Sequence, residues 1–266
     1  MRRAASLLAL LAAVIALVAL AGLLSASTAQ HMNLEARFAA PGTGTLLGTD
    51  QLGRDLGARI LAGAPWSLGV AAGSTAIALV IGLVAGLAAA EAAGLVQRLI
   101  LQIINLVLSF PGLVAAVAAV AVLGQGSLSV LLVLGFLTWT LFARVVYAEA
   151  SSIRTRDYVT AARIGGVGRA DLLLRHVLPA IAPSLIAMTV FHFADMLIAA
   201  SALSFLGVGA PLGAPAWGAM LSDSRPYIYQ APWLLFGPAA ALAGTVILLN
   251  LLGDAIGRRL GVGVRR

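Results

Sequence analysis

Asp195 and His192 are the side chains in this sequence best placed for proton or ion chemistry. They stand three residues apart inside a long apolar run. That spacing sets a carboxylate and an imidazole on one face of a helix. Such a pair could line a polar path through an apolar environment, or it could be a buried hydrogen-bonded lock onto a neighbouring helix. His31, His176 and His192 lie too far apart in sequence to form a metal-ligand spacing. All 17 basic residues are arginine, so the lysines of phosphate-binding loops, Schiff bases and kinases are missing, and the chain is not expected to hydrolyse ATP by itself. Cysteine is absent, which excludes disulfides, thiolate metal sites and thiol nucleophiles. No HExxH, no paired membrane aspartates and no serine–histidine arrangement appears, so no catalytic or metal-binding residue is assigned.

The elements that must hold these groups are read from hydropathy. Of 266 residues 61% are hydrophobic and 10% charged, with a mean hydropathy of +1.02. Soluble domains carry about 25% charged residues. So little charge cannot cover a water-exposed surface, so the chain belongs in a bilayer. Only helices or closed barrels satisfy their backbone there. The apolar runs are about twenty residues long and lack the alternation of barrel strands. The expected architecture is an all-α integral membrane protein, one domain of about six transmembrane helices, at residues 4–24, 67–90, 99–123, 128–147, 177–205 and 233–253. Asn105 and Ser109-Phe110-Pro111 suggest a kink in the third. The first run also fits a cleavable signal peptide, with Arg2 and Arg3 before it and Ser25-Ala26-Ser27 after it. Its length favours a retained helix.

Arginine placement orients the chain. With the N-terminus inside, Arg2, Arg3, Arg98, Arg144, Arg154, Arg156, Arg163, Arg169, Arg175, Arg258, Arg259, Arg265 and Arg266 fall on the inner side. Only Arg37, Arg54, Arg59 and Arg225 fall outside, which is the asymmetry of the positive-inside rule. The basic total therefore reports membrane orientation, and nucleic acid is not an expected partner. Residues 149–176 form an inner loop, and residues 207–232, with Trp217, Tyr227 and Tyr229, an outer one.

In the inner loop, Asp157 suits the first turn of a short helix, and Gly165, Gly166 and Gly168 permit a sharp turn at its end. A second short helix follows, with Pro179 marking its passage into the membrane span. Arg163, Arg169 and Arg175, with a small ridge of Ala161, Ala162 and Ile164, suit either a partner protein or anionic lipid heads. On the outer side, Asp50, Arg54 and Asp55 can pair at i, i+4 on one turn of a short helix, which could equally be a solvated cap.

Thr160-Ala161-Ala162, Gly166 four residues on, and Leu178-Pro179 resemble the EAA loop of binding-protein-dependent ABC import permeases, with Thr160 where the family has Glu. Three further segments resemble the C-type subunit of the dipeptide, oligopeptide and nickel permeases. They are Leu47-Gly48-Thr49-Asp50-Gln51-Leu52-Gly53-Arg54-Asp55, Leu203-Ser204-Phe205-Leu206-Gly207-Val208-Gly209 with Pro215-Ala216-Trp217-Gly218, and Asn250-Leu251-Leu252-Gly253-Asp254. The resemblance implies a type I ABC importer permease fold and a coupling helix seated on a separate ATPase, carried by Asp157, Tyr158, Thr160, Ala161, Ala162, Arg163, Gly165, Gly166, Gly168 and Arg169. It further implies a second homologous permease subunit, two ATPase subunits or domains that bind ATP and Mg²⁺, and an extracytoplasmic substrate-binding protein met by Asp50, Arg54, Asp55, Trp217 and Tyr227. Separately, His192, Asp195 and Phe205 are the candidates for the translocation path. The setting would be a prokaryotic inner membrane with both termini cytoplasmic. Dipeptides or short peptides are the expected cargo, with nickel, metal chelates and heme as alternatives. An ion-driven secondary transporter is the rival class, and it would need more intramembrane acids than Asp195.

Overall fold

The computed structural model describes residues 20–22, 24–211 and 213–261, so nearly all of the expected first span lies outside the described residues. The described part is built from helices: α1 (Ala26–Gln30), α2 (Leu56–Glu91), α3 (Gly94–Leu108), α4 (Gly112–Leu123), α5 (Ser127–Arg154), α6 (Asp157–Ile164), α7 (Arg169–Phe205), α8 (Trp217–Ser224) and α9 (Trp233–Leu260). Among these, α2, α5, α7 and α9 are each long and apolar enough to cross a membrane, and α3 with α4 forms a fifth, bent candidate.

Three elements differ from expectation. Helix α2 begins at Leu56, well before residue 67, because Asp55 caps it: its Oδ1 accepts the Ala58 N–H at 2.9 Å. The span expected over 99–123 is two helices at 86°. Ser109 closes α3, and Pro111, with no N–H to give, starts α4, so Phe110 sits at an elbow rather than a mild kink. The two short helices expected around the inner loop reduce to one. The second is continuous with the fifth span, joined through a widened π turn at Leu173–Val177 just before Pro179.

Helices α2 and α5 pack closest. A methyl group added at Gly82 would stand 2.6 Å from the Trp139 carbonyl oxygen, and one at Gly86 2.6 Å from that of Ala143. Glycine is what lets the two backbones meet, the usual route to helix association where lipid removes the hydrophobic drive. Ser74 adds a hydrogen bond across the pair, Oγ to the Leu131 carbonyl at 3.1 Å. Helix α7 lies against both and α9 against α7, where Gly253 admits the Phe191 ring.

The buried side chains form two clusters, one toward each end of the bundle. Leu56, Leu68, Leu197, Leu203 and Trp217 fill the end that carries α8, and Phe142, Val146, Ile153, Val159 and Ile181 fill the end that carries α6. Leucine, isoleucine and valine on α3, α4 and α9 face outward, a surface for lipid or neighbouring chains.

Replacing Gly82 by Leu forces α2 and α5 apart. We expect a loss of about 1–3 kcal/mol or more in folding stability, read as a lower yield of detergent-stable protein and a lower melting temperature.

Candidate functional site

Three regions hold the chemistry: an arm at one end of the bundle, a charged groove midway, and a cap at the other end.

The arm is α6 and its turn. Val159 is fully buried, and Ala162, Val167 and Leu172 join it against the ends of α2 and α5. Asp157, Tyr158, Thr160, Ala161, Arg163 and Ile164 are left on the outer face, Ile164 being 84% exposed. The expected ridge is therefore split, since Ala162 faces the core while Ala161 and Ile164 face out. Helix α6 ends in a Schellman motif: the Val167 N–H bonds the Ala162 carbonyl and the Gly166 N–H that of Arg163, each at 3.1 Å. Gly166 carries the left-handed φ of +83°, whereas Gly165 (−69°) and Gly168 (−65°) do not, so one glycine and not three makes the turn. Arg169 is exposed at the start of α7. Behind the arm, Glu91 of α2 pairs with Arg154 of α5 at 3.1 Å. The pair borders a cavity of about 370 Å³ that Arg163 and Arg169 also line.

The groove lies between α5 and α7, about 380 Å³ in volume and open to the outside of the chain, lined by Leu141, Arg144, Val145, Ala148, Met188, Phe191, His192 and Asp195. His192 is 3% exposed, with Nδ1 3.4 Å from Thr75 Oγ1 of α2 and its ring tilted on Phe142 at 4.8 Å. Its Nε2 is buried without a partner among the described residues. Asp195 lines the same groove but is exposed, so the two do not form a shared buried pair. Arg144 was assigned to the inner loops by arginine counting, yet it stands ten residues before the end of α5, inside the helix and exposed beside Asp195. Its position within the apolar run was the signal for it. A charge at the centre of a spanning helix costs about 2.5–3.5 kcal/mol facing lipid, so this face turns toward protein or water. Phe205 does not belong to the groove. It is half-buried at the far end of α7, ten residues or about 15 Å beyond Asp195, beneath the Arg225 guanidinium at 3.8 Å.

The cap centres on Asp50. Its Oδ1 accepts the Leu52 N–H at 2.8 Å and the Arg54 N–H at 3.0 Å, and its Oδ2 accepts Arg54 Nε at 2.7 Å and Arg59 Nη1. Asp50 and Arg59 are each 3% exposed. The backbone here is a tight turn, not a helix, with Gly53 at φ +70° pressed against the Asn33 carbonyl and Thr49 bridged to Asp55. Asp55 serves as the cap of α2 instead of joining the ion pairs. Trp217 is buried, its indole N–H bonding the Ile60 carbonyl at 2.8 Å and its backbone N–H Ser67 Oγ at 3.2 Å. Asp50, Arg54 and Trp217 therefore face into the cap and present no docking surface in this conformation. Tyr227, half-buried against Phe38 at 4.9 Å, and the fully exposed Tyr229 are nearer the surface. Arg59, which completes the buried cluster, was missed because it lies nine residues from Asp50 in another element.

The described residues thus form a bundle of helices, several long and apolar enough to cross a membrane, with an exposed arm and a charged groove on its outer side. Residues 79–266 match the family model of the binding-protein-dependent transport system inner membrane component, and the chain belongs to that family. It is 36% identical over 211 residues to the di/tripeptide transport permease DppC of Pseudomonas aeruginosa, covering 79% of this chain and 70% of that one. It is 40% identical over 209 residues to the glutathione transport permease GsiD of Shigella flexneri, covering 79% and 69%. To the nickel transport permease NikC of Escherichia coli K12 it is 33% identical over 227 residues, covering 85% and 82%. A chain of the inward-facing MetNI methionine ABC transporter shares the fold, at TM-score 0.65 and 20% identity, over 76% of this chain and 96% of that one. The protein is thus a permease subunit of a binding-protein-dependent ABC importer.

Burial pushes the Asp50 carboxyl up, but the Arg54 and Leu52 N–H bonds and the two guanidiniums outweigh it and hold the group below its ordinary 3.8. A carboxyl lowered on folding contributes stability above its unfolded value and loses it as pH falls through the folded one. The cap should therefore loosen as pH drops below about 3.8, seen as amide exchange across residues 48–59. Asp50→Asn leaves Arg59 buried without its anion, and should cost about 3–5 kcal/mol in a denaturation measurement at neutral pH.

Proposed function

We propose that this chain forms half of a translocation path for dipeptides or short peptides and couples it, through α6, to separate ATPase subunits. The observation that carries the coupling is the two-sidedness of the arm. Val159 and Leu172 bind it to the bundle, while Tyr158, Thr160, Ala161 and Ile164 stay uncovered on the opposite face. An isoleucine that is 84% exposed at the tip of a short polar helix suits insertion into a partner's groove better than solvent. The arginines at the ends of α5, α6, α7 and α9 support a reading in which this arm lies on the cytoplasmic side of a prokaryotic inner membrane, with both termini on that side. Two ATPase subunits or domains there bind ATP and Mg²⁺, a second homologous permease supplies the other wall, and a substrate-binding protein delivers cargo at the cap.

ATP-driven closure of the ATPases moves the arms, and the path alternates between inward-open and outward-open. Each ligand shifts that equilibrium only by its differential affinity for the two states. Peptide cargo is supported by the similarity to the di/tripeptide permease of Pseudomonas aeruginosa. Nickel or a metal chelate, and by extension heme, is the second reading, favoured by the similarity to the Escherichia coli nickel permease. The ligand carried by the binding protein that co-purifies with the chain decides between them: bound peptide supports the first reading, and a metal complex replaces it with the second.

Gly166→Val tests the arm. No atom lies within 4 Å of the added Cβ, so the main cost is the left-handed backbone, about 1–3 kcal/mol. We expect wild-type amounts of protein in the membrane fraction with uptake abolished. Undiminished uptake would sink the coupling role.

A further inference from the structure

We propose that Asp195 and Arg144 form an end-charge clamp that carries a dipeptide through the path carboxylate first, a reading that rests on peptide cargo. Both side chains are exposed inside spanning helices, line one groove, and have no ion-pair or hydrogen-bond partner among the described residues. Intramembrane charges without a structural partner mark substrate or ion pathways. Opposite signs on one wall suit a ligand that is itself doubly charged, as a free-ended peptide is.

The spacing agrees. Helices α5 and α7 run antiparallel, tied at the cap end by the Gly126 N–H to the Gly209 carbonyl at 3.1 Å. The Phe142 and His192 rings meet at 4.8 Å and give the two helices a common level. From there Arg144 lies two residues toward the arm and Asp195 three residues toward the cap. Five helical rises separate their Cα levels along the axis, about 7.5 Å. Two extended residues span about 7 Å, a length comparable to that rise, for a dipeptide with its ammonium toward Asp195 and its carboxylate toward Arg144. His192 lines the groove between them, with its buried Nε2 unpartnered among the described residues. The groove's volume of about 380 Å³ falls within the range of small-ligand sites, and its walls between the charges are mainly apolar. The planar guanidinium end lies deeper and the carboxylate end nearer the cap, which sets the polarity of passage.

The test is uptake of radiolabelled dialanine by the complete transporter, with its binding protein unchanged, in cells lacking other peptide importers. Arg144→Gln and Asp195→Asn should each cut uptake at least about tenfold, the loss of one charged hydrogen bond. The transporter should still co-purify with its partner subunits, and Arg144→Lys should recover most of the uptake. The double exchange Arg144→Asp with Asp195→Arg should stay inactive, because the peptide would then arrive in the wrong polarity. Uptake within twofold of wild type in either single variant overturns the clamp. So does recovery in the double exchange, which would show that the two charges pair with each other, and so does loss of co-purification, which would show that they brace the subunit contact. Failure of the wild-type transporter to take up dialanine would instead overturn the peptide reading on which the clamp rests.

Discussion

Backbone hydrogen bonding governs this molecule. Where there is no water to satisfy a free N–H or carbonyl, a chain can turn only where its own atoms close the accounts. The helix ends outside the apolar runs, where water could serve, nonetheless close their own bonds. Helix α6 stops at Gly166 and α7 stops at Gly207 by the same device, two backward bonds made possible by a left-handed glycine. At Gly207 the pattern repeats in full, with the Gly207 N–H on the Ser204 carbonyl and the Val208 N–H on that of Leu203, each at 3.1 Å. The Leu203–Gly209 segment that stood out in the sequence is thus a helix terminator, and Ser204 and Gly209 pack against each other beneath it.

What could be read from the sequence was set by locality. Apolar runs gave the bodies of α2, α5, α7 and α9, because burial in lipid needs only length and composition. The glycine turn after α6 and the exposed arm were also legible, since capping is decided within six residues. The elbow at Pro111 was legible as a weak point but not as an 86° bend, because the angle depends on what each half packs against. At the cap the i, i+4 pairing of Asp50 with Arg54 is legible, but not that it sits in a buried turn completed by Arg59, or that Asp55 caps α2 instead of joining it. Nothing local announces that the Phe38 N–H and the Trp233 indole N–H bond the Asp50 and Thr49 carbonyls of that turn.

The separation of His192 from Asp195 is the same lesson at one position. Helical spacing sets two residues on one stripe, but it does not say where the neighbouring helix divides that stripe. Here α2 covers His192 through Thr75 and leaves Asp195 on the open side. The cap and the groove thus use charge differently. Asp50 has four donors and is spent on structure, whereas Asp195 has none among the described residues.

The unbroken run of α7 sets a gearing. Thirty-seven residues make a rod about 54 Å long, well beyond the hydrocarbon thickness, reaching from the arm's glycine turn to the cap. A rod of that length converts each degree of tilt into about 1 Å of travel at its far end. Its π turn at Leu173–Val177 and Pro183 both lie in its first half, so a tilt begun beyond them reaches the mouth undiminished. Small strokes at one surface and wide apertures at the other then follow from length alone.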